Sequence, residues 1–227
     1  SGKPTLLYIP GLESSGLNLF SHAERLSEQF DVHGLVVDPE CKVEFKSLCQ
    51  SVAQYVQGAK TSNKPYILMG ESFGAAVALS VYQELRDQQA INALVLINSV
   101  TALKHSHDQI KLNAIVERWG LRVFLEILFE HSPTVKELVQ TVSHLVHSSS
   151  RKTSHHHVCV HGFMLTNLMA LSQDVLEHRV RMWIGQACDA VDALTKDVDV
   201  PVLVVAGMQD KFLPSLKEAL RLQQVIP

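Results

Sequence analysis

Long hydrophobic runs are missing from this sequence, and so are blocks of like charge. No apolar stretch approaches the roughly 20 residues that a helix needs to cross a bilayer. No transmembrane segment is therefore expected, and any lipid contact is expected to be peripheral. Lys and Arg number 20 against 23 Asp and Glu. That balance excludes the basic footprint of a nucleic-acid-binding domain. Cysteine is sparse: Cys41, Cys49, Cys159 and Cys188 show no C-x-x-C spacing, which argues for reduced thiols and against a disulfide framework. No signal or transit peptide is visible ahead of the first strand signal at Pro4–Ile9, and the first residue is Ser1 rather than Met. The chain is read as a mature form or a fragment.

What is present is an ordinary globular composition, 46% apolar and 19% charged over 227 residues, enough for one domain with a full core. Strand and helix signals alternate. Strands are expected at Thr5–Ile9, Val32–Val37, Pro65–Met69, Ile91–Ile97 and Val200–Ala206. Helices are expected at Phe20–Phe30, Val43–Val56, Ala75–Leu85 and Leu216–Leu222. The continuous apolar character of Ile91–Ile97 and Val200–Ala206 is that of parallel strands covered on both faces. The expectation is an α/β fold, a doubly wound and mostly parallel sheet. Between Thr101 and Asp174 strand signals give way to helical stretches at Ile110–Trp119, Leu121–Phe129, Val135–Val146 and Phe163–Leu171. Residues 1–100 and 175–227 are assigned to the core, and 101–174 to a helical cap. A cap inserted beyond a strand C-terminus would build an apolar pocket for a substrate tail.

Chemistry enters at Tyr66-Ile67-Leu68-Met69-Gly70-Glu71-Ser72-Phe73-Gly74-Ala75-Ala76. A buried strand runs into G-x-S-x-G and then into a helix of small residues, the sequence form of a nucleophile elbow. Gly70 and Gly74 let strand end and helix start approach without a Cβ clash. Ser72 would stand at the tip, hydroxyl exposed, with the helix N-terminus beneath it. A serine nucleophile needs a base, an acid to orient that base, and N–H donors for the oxyanion. Asp210, in the turn after Val200–Ala206, is the acid candidate because it lies on the same sheet edge as the elbow. The N–H of Phe73, next after Ser72, is one expected oxyanion donor. The other is expected from the loop Pro10–Gly16, with Leu12 preferred and Glu13 as the alternative. Glu71 would orient cap or loop groups.

The base is absent from its place. In this arrangement the order is Ser, Asp, His, yet none of the twelve histidines follows Asp210. The expectation is that the last strand and a histidine-bearing loop lie beyond this chain, which leaves Val200–Ala206 as an apolar sheet edge that invites association. The alternative is a non-catalytic protein of the same fold that binds an apolar ligand or a partner. His155, His156, His157, Cys159 and His161 do not make a metal site, since adjacent histidines in a polar stretch do not converge on one ion. No metal and no cofactor are expected.

The elbow, the stretch Pro4–Gly11 and the stretch Val200–Ser215 together resemble the α/β-hydrolase superfamily. Within it the chain is similar to the plastid esterase and acyltransferase group that includes phytyl ester synthases. That resemblance implies the α/β-hydrolase fold, a plastid location, and Ser72 and Asp210 as the triad serine and acid. It also implies a small-molecule acyl ester, of a lipid or long-chain alcohol, as partner. The expected function is a serine esterase, lipase-type acyl hydrolase or acyltransferase. A dehalogenase or epoxide hydrolase is disfavoured, because those enzymes place a carboxylate where Ser72 stands.

Overall fold

A computed structural model describes residues 2–59, 64–101, 171–208, 210 and 215–227. Its centre is a five-stranded parallel sheet in the order β2-β1-β3-β4-β5. The strands are β1 (Thr5–Ile9), β2 (Asp31–Gly34), β3 (Tyr66–Glu71), β4 (Ala93–Ile97) and β5 (Val202–Val205). The helices are α1 (Phe20–Ser27), α2 (Phe45–Ala59), α3 (Phe73–Leu85), α4 (Gln173–His178), α5 (Gly185–Leu194) and α6 (Ser215–Val225). A π-helical turn, Arg179–Ile184, joins α4 to α5.

The expected α/β architecture is therefore present, with helices flanking a parallel sheet. One face of the sheet carries Leu7, Ile9, Leu68, Leu94 and Leu96, all buried in a single cluster with α2, α3 and α5. α3 lies at the centre of this layer because its Ala-rich stretch Ala75-Ala76-Val77-Ala78 is fully buried and lets the helix approach β3 closely. The opposite face grows more exposed toward β5. Leu6 and Tyr8 on β1 are buried, whereas Leu203 and Val205 on β5 are 59% and 43% exposed. Among the described strands β5 is one edge of the sheet and β2 the other.

Chain order and sheet order differ at one place. From β1 the chain moves outward to β2, then returns past β1 to β3. The C-terminal ends of β1 and β3 thus border the switch point, where sheets of this kind form their crevices. The loop after β1 and the turn after β3 meet there. β2 is shorter than expected. Beyond Gly34 the chain makes one more bond to β1, Leu35 N–H to Tyr8 O at 2.9 Å. It then crosses onto the loop, where the Val37 N–H donates to Ser14 O at 3.0 Å. α1 ends early, at Ser27, because its last turn tightens into bonds from Glu28 to Arg25 and from Gln29 to Leu26. The cap helices expected between 110 and 170 and the cluster 155–161 lie outside the described residues.

Candidate active site

Ser72 occupies the single-residue turn between β3 and α3, with φ +54° and ψ −120°. A non-glycine residue held there costs on the order of 1–3 kcal/mol, so the surroundings must enforce it. Three backbone bonds do. The Ser72 N–H donates to Ile97 O at 2.8 Å, and its carbonyl accepts from Ala75 at 3.1 Å and Val100 at 3.2 Å. The two glycines work as the motif requires. A Cβ on Gly70 would stand 2.3 Å from the Gly74 carbonyl oxygen, and one on Gly74 would stand 2.1 Å from Ile9 O and 2.5 Å from Pro10 O. The elbow is thereby pressed against the end of β1.

That contact sets the expected oxyanion loop beside Ser72. The Cβ position of Gly11 lies 3.4 Å from Ser72 Cβ and 3.8 Å from Ser72 Oγ. Leu12 and Glu13 follow directly, and a turn from Ser14 N–H to Gly11 O at 3.0 Å closes the loop. Phe73 opens α3, so its N–H belongs to the first turn of a helix, where N–H groups have no intrahelical acceptor. Ser72, Phe73 and the Leu12 loop are thus brought together.

Asp210 is placed at the same C-terminal edge of the sheet as Ser72. It lies beyond β5, with β4 between β5 and the elbow strand. Its carboxylate accepts from Ser215 Oγ at 2.5 Å, at the first residue of α6. Asn98 fastens this region to the sheet. At φ +44°, a value that Asn tolerates better than most residues, its N–H donates to Val205 O at 2.8 Å and its side chain accepts from Gly207 N–H at 2.7 Å. Sequence reasoning missed Asn98. An Asn directly after a buried apolar strand was the only signal.

Beneath the loop lies a polar cluster that sequence reasoning did not assemble. The Glu71 carboxylate accepts from Tyr8 Oη and, at 3.2 Å, from Asn18 Nδ2, which ties β3 to β1 and to the turn that follows the Pro10–Gly16 loop. Glu13 is 5% exposed, and its Oε1 has no hydrogen-bond partner among the described residues. Burial is the main cause that pushes this carboxyl from the ordinary 4.5 up to about 7, with the charge of Glu71 adding to it. The described histidines do not approach Ser72 by their recorded bonds. His33 Nδ1 pairs with Tyr55 Oη at 2.6 Å on β2, and His178 Nε2 meets Val43 O at 3.1 Å.

Known proteins are similar to this chain. Phytyl ester synthase 1, chloroplastic, from Arabidopsis thaliana is 26% identical over 98% of this chain and 32% of its own length. Phytyl ester synthase 2, chloroplastic, from the same plant is 31% identical over 57% of this chain and 19% of its own length. The chain thus spans about a third of the length of the first of these relatives. Among solved structures, MenH from S. aureus superposes with a TM-score of 0.67 at 15% identity, covering 99% of this chain and 82% of that one. Est816, an N-acyl homoserine lactone degrading enzyme, superposes at 0.72 with 12% identity over 99% and 82%. These likenesses establish the α/β-hydrolase fold. A family profile described as serine aminopeptidase, S33, matches residues 42–225, from the loop before α2 to the last residue of α6, and the chain belongs to that family.

Proposed function

We propose that this chain carries the nucleophile of a serine acyl hydrolase or acyltransferase acting on lipid-like or long-chain alcohol esters. The observation that carries the reading is the strained backbone of Ser72, clamped between Gly70 and Gly74 and packed on the loop after β1. Strain of this kind persists where the surroundings over-determine it and clusters at functional sites.

In this reading Ser72 Oγ attacks the acyl carbonyl carbon and its proton passes to a histidine, assigned to the whole protein C-terminal to Asp210. The N–H groups of Phe73 and of Leu12, or of Glu13 in its place, hold the negative oxygen of the tetrahedral intermediate. The intermediate collapses to an ester on Ser72 as the alcohol leaves with the proton. Water or a second alcohol then attacks that ester and frees Ser72. Asp210 orients the histidine. The phytyl ester synthase relatives favour a long-chain alcohol as acceptor and a plastid setting.

The test is made on the whole protein, with p-nitrophenyl acyl esters of increasing length and with a long-chain acyl donor in the presence and absence of phytol. Ser72→Ala is expected to reduce turnover by roughly 10⁶-fold, the scale for loss of a catalytic serine. Turnover unchanged in that variant overturns the assignment. A whole protein that binds apolar esters without turning them over supports the non-catalytic reading instead. The share of acyl groups recovered on phytol rather than as free acid separates transferase from hydrolase.

A further inference from the structure

The geometry points to Arg179 and Trp183 as positioning residues for both backbone donors of the proposed oxyanion site, an inference that rests on the serine reading above. Neither residue stands out in the sequence, and neither touches Ser72 by any recorded bond. Their importance comes from what they hold.

Arg179 is fully buried, unusual for a guanidinium, whose charge is costly to remove from water. Burial pulls its pKa down. The groups it holds are backbone carbonyls of two loops. Nη1 donates to Leu12 O at 3.0 Å and to Glu13 O at 3.4 Å. Nη2 donates to Asp38 O at 2.9 Å and to Pro39 O at 3.4 Å. The peptide bond is planar and trans, so the Leu12 carbonyl and the Glu13 N–H point in opposite directions from one rigid unit. Fixing the carbonyl on the guanidinium side aims that N–H to the other side. The Leu12 N–H sits one peptide earlier in the same closed turn. Arg179 thus sets the direction of the Glu13 N–H; the Leu12 N–H belongs to the Gly11–Leu12 peptide, whose carbonyl accepts from the Ser14 N–H at 3.0 Å, and Arg179 acts on it through that closed turn.

Trp183 packs against the side chain of Phe73, the residue that carries the other donor. Its ring stacks on Phe73, with centroids 5.3 Å apart and planes 12° from parallel, and Phe73 also meets Phe45 edge-on at 5.8 Å. Trp183 is itself locked, since Nε1 donates to Val43 O at 2.7 Å. The Arg179 guanidinium lies 4.7 Å from the Trp183 ring centroid, within the range of a cation–π contact. One side-chain stack therefore runs from the Leu12 carbonyl through Arg179 and Trp183 to Phe73. It joins the two segments that must keep a fixed spacing for two N–H groups to grip one oxygen. The stack issues from the π-helical turn Arg179–Ile184. Such turns are rare and frequently mark functional sites. Lysine is a poor substitute, because a compact ammonium offers neither the planar fork that serves several carbonyls nor a face to stack.

The experiment uses the whole protein and the variants Arg179→Met, Arg179→Lys and Trp183→Phe. Four quantities are read: kcat per active serine, titrated with a fluorophosphonate; KM; affinity for a trifluoromethyl ketone that forms a tetrahedral adduct on Ser72; and Tm. Removing one oxyanion donor lowers kcat about 10²- to 10³-fold; misaiming a donor is expected to cost Arg179→Met roughly 10- to 100-fold. KM should stay within about threefold, and ketone affinity should fall in step with kcat. Arg179→Lys should recover part of the loss, and Trp183→Phe should lose several-fold. A purely structural role lowers Tm alone, so unchanged kcat per active serine and unchanged ketone affinity overturn the proposal. If Arg179→Met does not fold, Arg179→Lys and Trp183→Phe decide by the same readouts. Turnover that survives Ser72→Ala overturns the serine reading and this one with it. Turnover lost in Ser72→Ala yet indifferent to Arg179 and Trp183 overturns the positioning role alone.

Discussion

Replacing Gly74 by alanine is the sharpest test of how the elbow is built. The new methyl group would meet Ile9 O at 2.1 Å, Pro10 O at 2.5 Å and the Ile9 carbonyl carbon at 2.8 Å. Every one of these is backbone, so no side chain can swing aside. Ordinary van der Waals contact begins near 3.4 Å, so α3 and the end of β1 must separate by over an ångström. β1 is paired on both sides, to β2 and to β3, and cannot move alone. Overpacking costs about 1–3 kcal/mol and occasionally more, and rigid partners put this case at the upper end. Alanine's better helix propensity, up to ~1 kcal/mol, offsets part of it. A net loss of about 2–3 kcal/mol lowers Tm by roughly 4–12 °C in a domain of this size. Turnover should suffer more than stability implies, since a 1 Å displacement near the reacting atoms costs on the order of 10²-fold. Gly185→Ala is the matched control, because a Cβ there meets nothing within 4 Å among the described residues. It should raise Tm by a few degrees, as expected for a gain of up to ~1 kcal/mol. Thermal unfolding followed by circular dichroism, with ester turnover at 25 °C, reads both. Equal Tm for Gly74→Ala and the parent, or shifts of the same sign in both variants, would refute the close-approach argument.

Two further outcomes follow from groups away from the elbow glycines. Burial holds the Glu13 carboxyl up at about 7, above its unfolded value, so the unfolded chain releases this proton first as pH rises. Stability should fall between about pH 4.5 and 7 and stay low above it, by an amount on the order of 3 kcal/mol. In Glu13→Gln, urea midpoints measured across that window should lose this slope and exceed the parent's at pH 8; an unchanged slope would point to another group. Leu203 and Val205 present an exposed apolar face on the edge strand β5, so the 227-residue chain alone should self-associate. Leu203→Lys should reduce that association in multi-angle light scattering, and a monomeric parent would count against it.

The parts of the fold that were legible in the sequence are those set by local pattern. β1 runs over Thr5–Ile9 as expected, because every residue from Leu6 to Ile9 is buried on a strand with neighbours on both sides. The elbow was legible because G-x-S-x-G carries its own steric reason. Less legible were the ends of elements, where a distant acceptor decides: β2 stops when Val37 finds Ser14. Least legible were Arg179 and Trp183. Their partners at Leu12, Asp38 and Val43 lie 140 to 167 residues away, so no periodicity or spacing within the helix records them. The stretch Arg179-Val180-Arg181-Met182-Trp183 reads as an ordinary helical segment, and only the packed structure shows the arginine fully buried.

Backbone strain gives the C-terminal edge of the sheet a common logic. Among the described residues, four non-glycine residues have positive φ, and three of them sit on that edge: Ser14 at +59°, Ser72 at +54° and Asn98 at +44°. They follow β1, β3 and β4, the three central strands. Each such residue costs on the order of 1–3 kcal/mol, a large part of the 5–15 kcal/mol by which a domain is stable. Random drift would scatter such costs, and turns elsewhere would accept glycine. Here each strained residue also uses its polar atoms on a neighbour. Ser14 closes the Leu12 loop, Ser72 binds the ends of both β4 and α3, and Asn98 holds the turn that leads to Asp210. The strain and the bonds that hold it therefore belong together. Relaxing any one of the three residues would detach a loop from its neighbour, and the spacing between Ser72, the Leu12 loop and the Asp210 turn would no longer be fixed by the sheet.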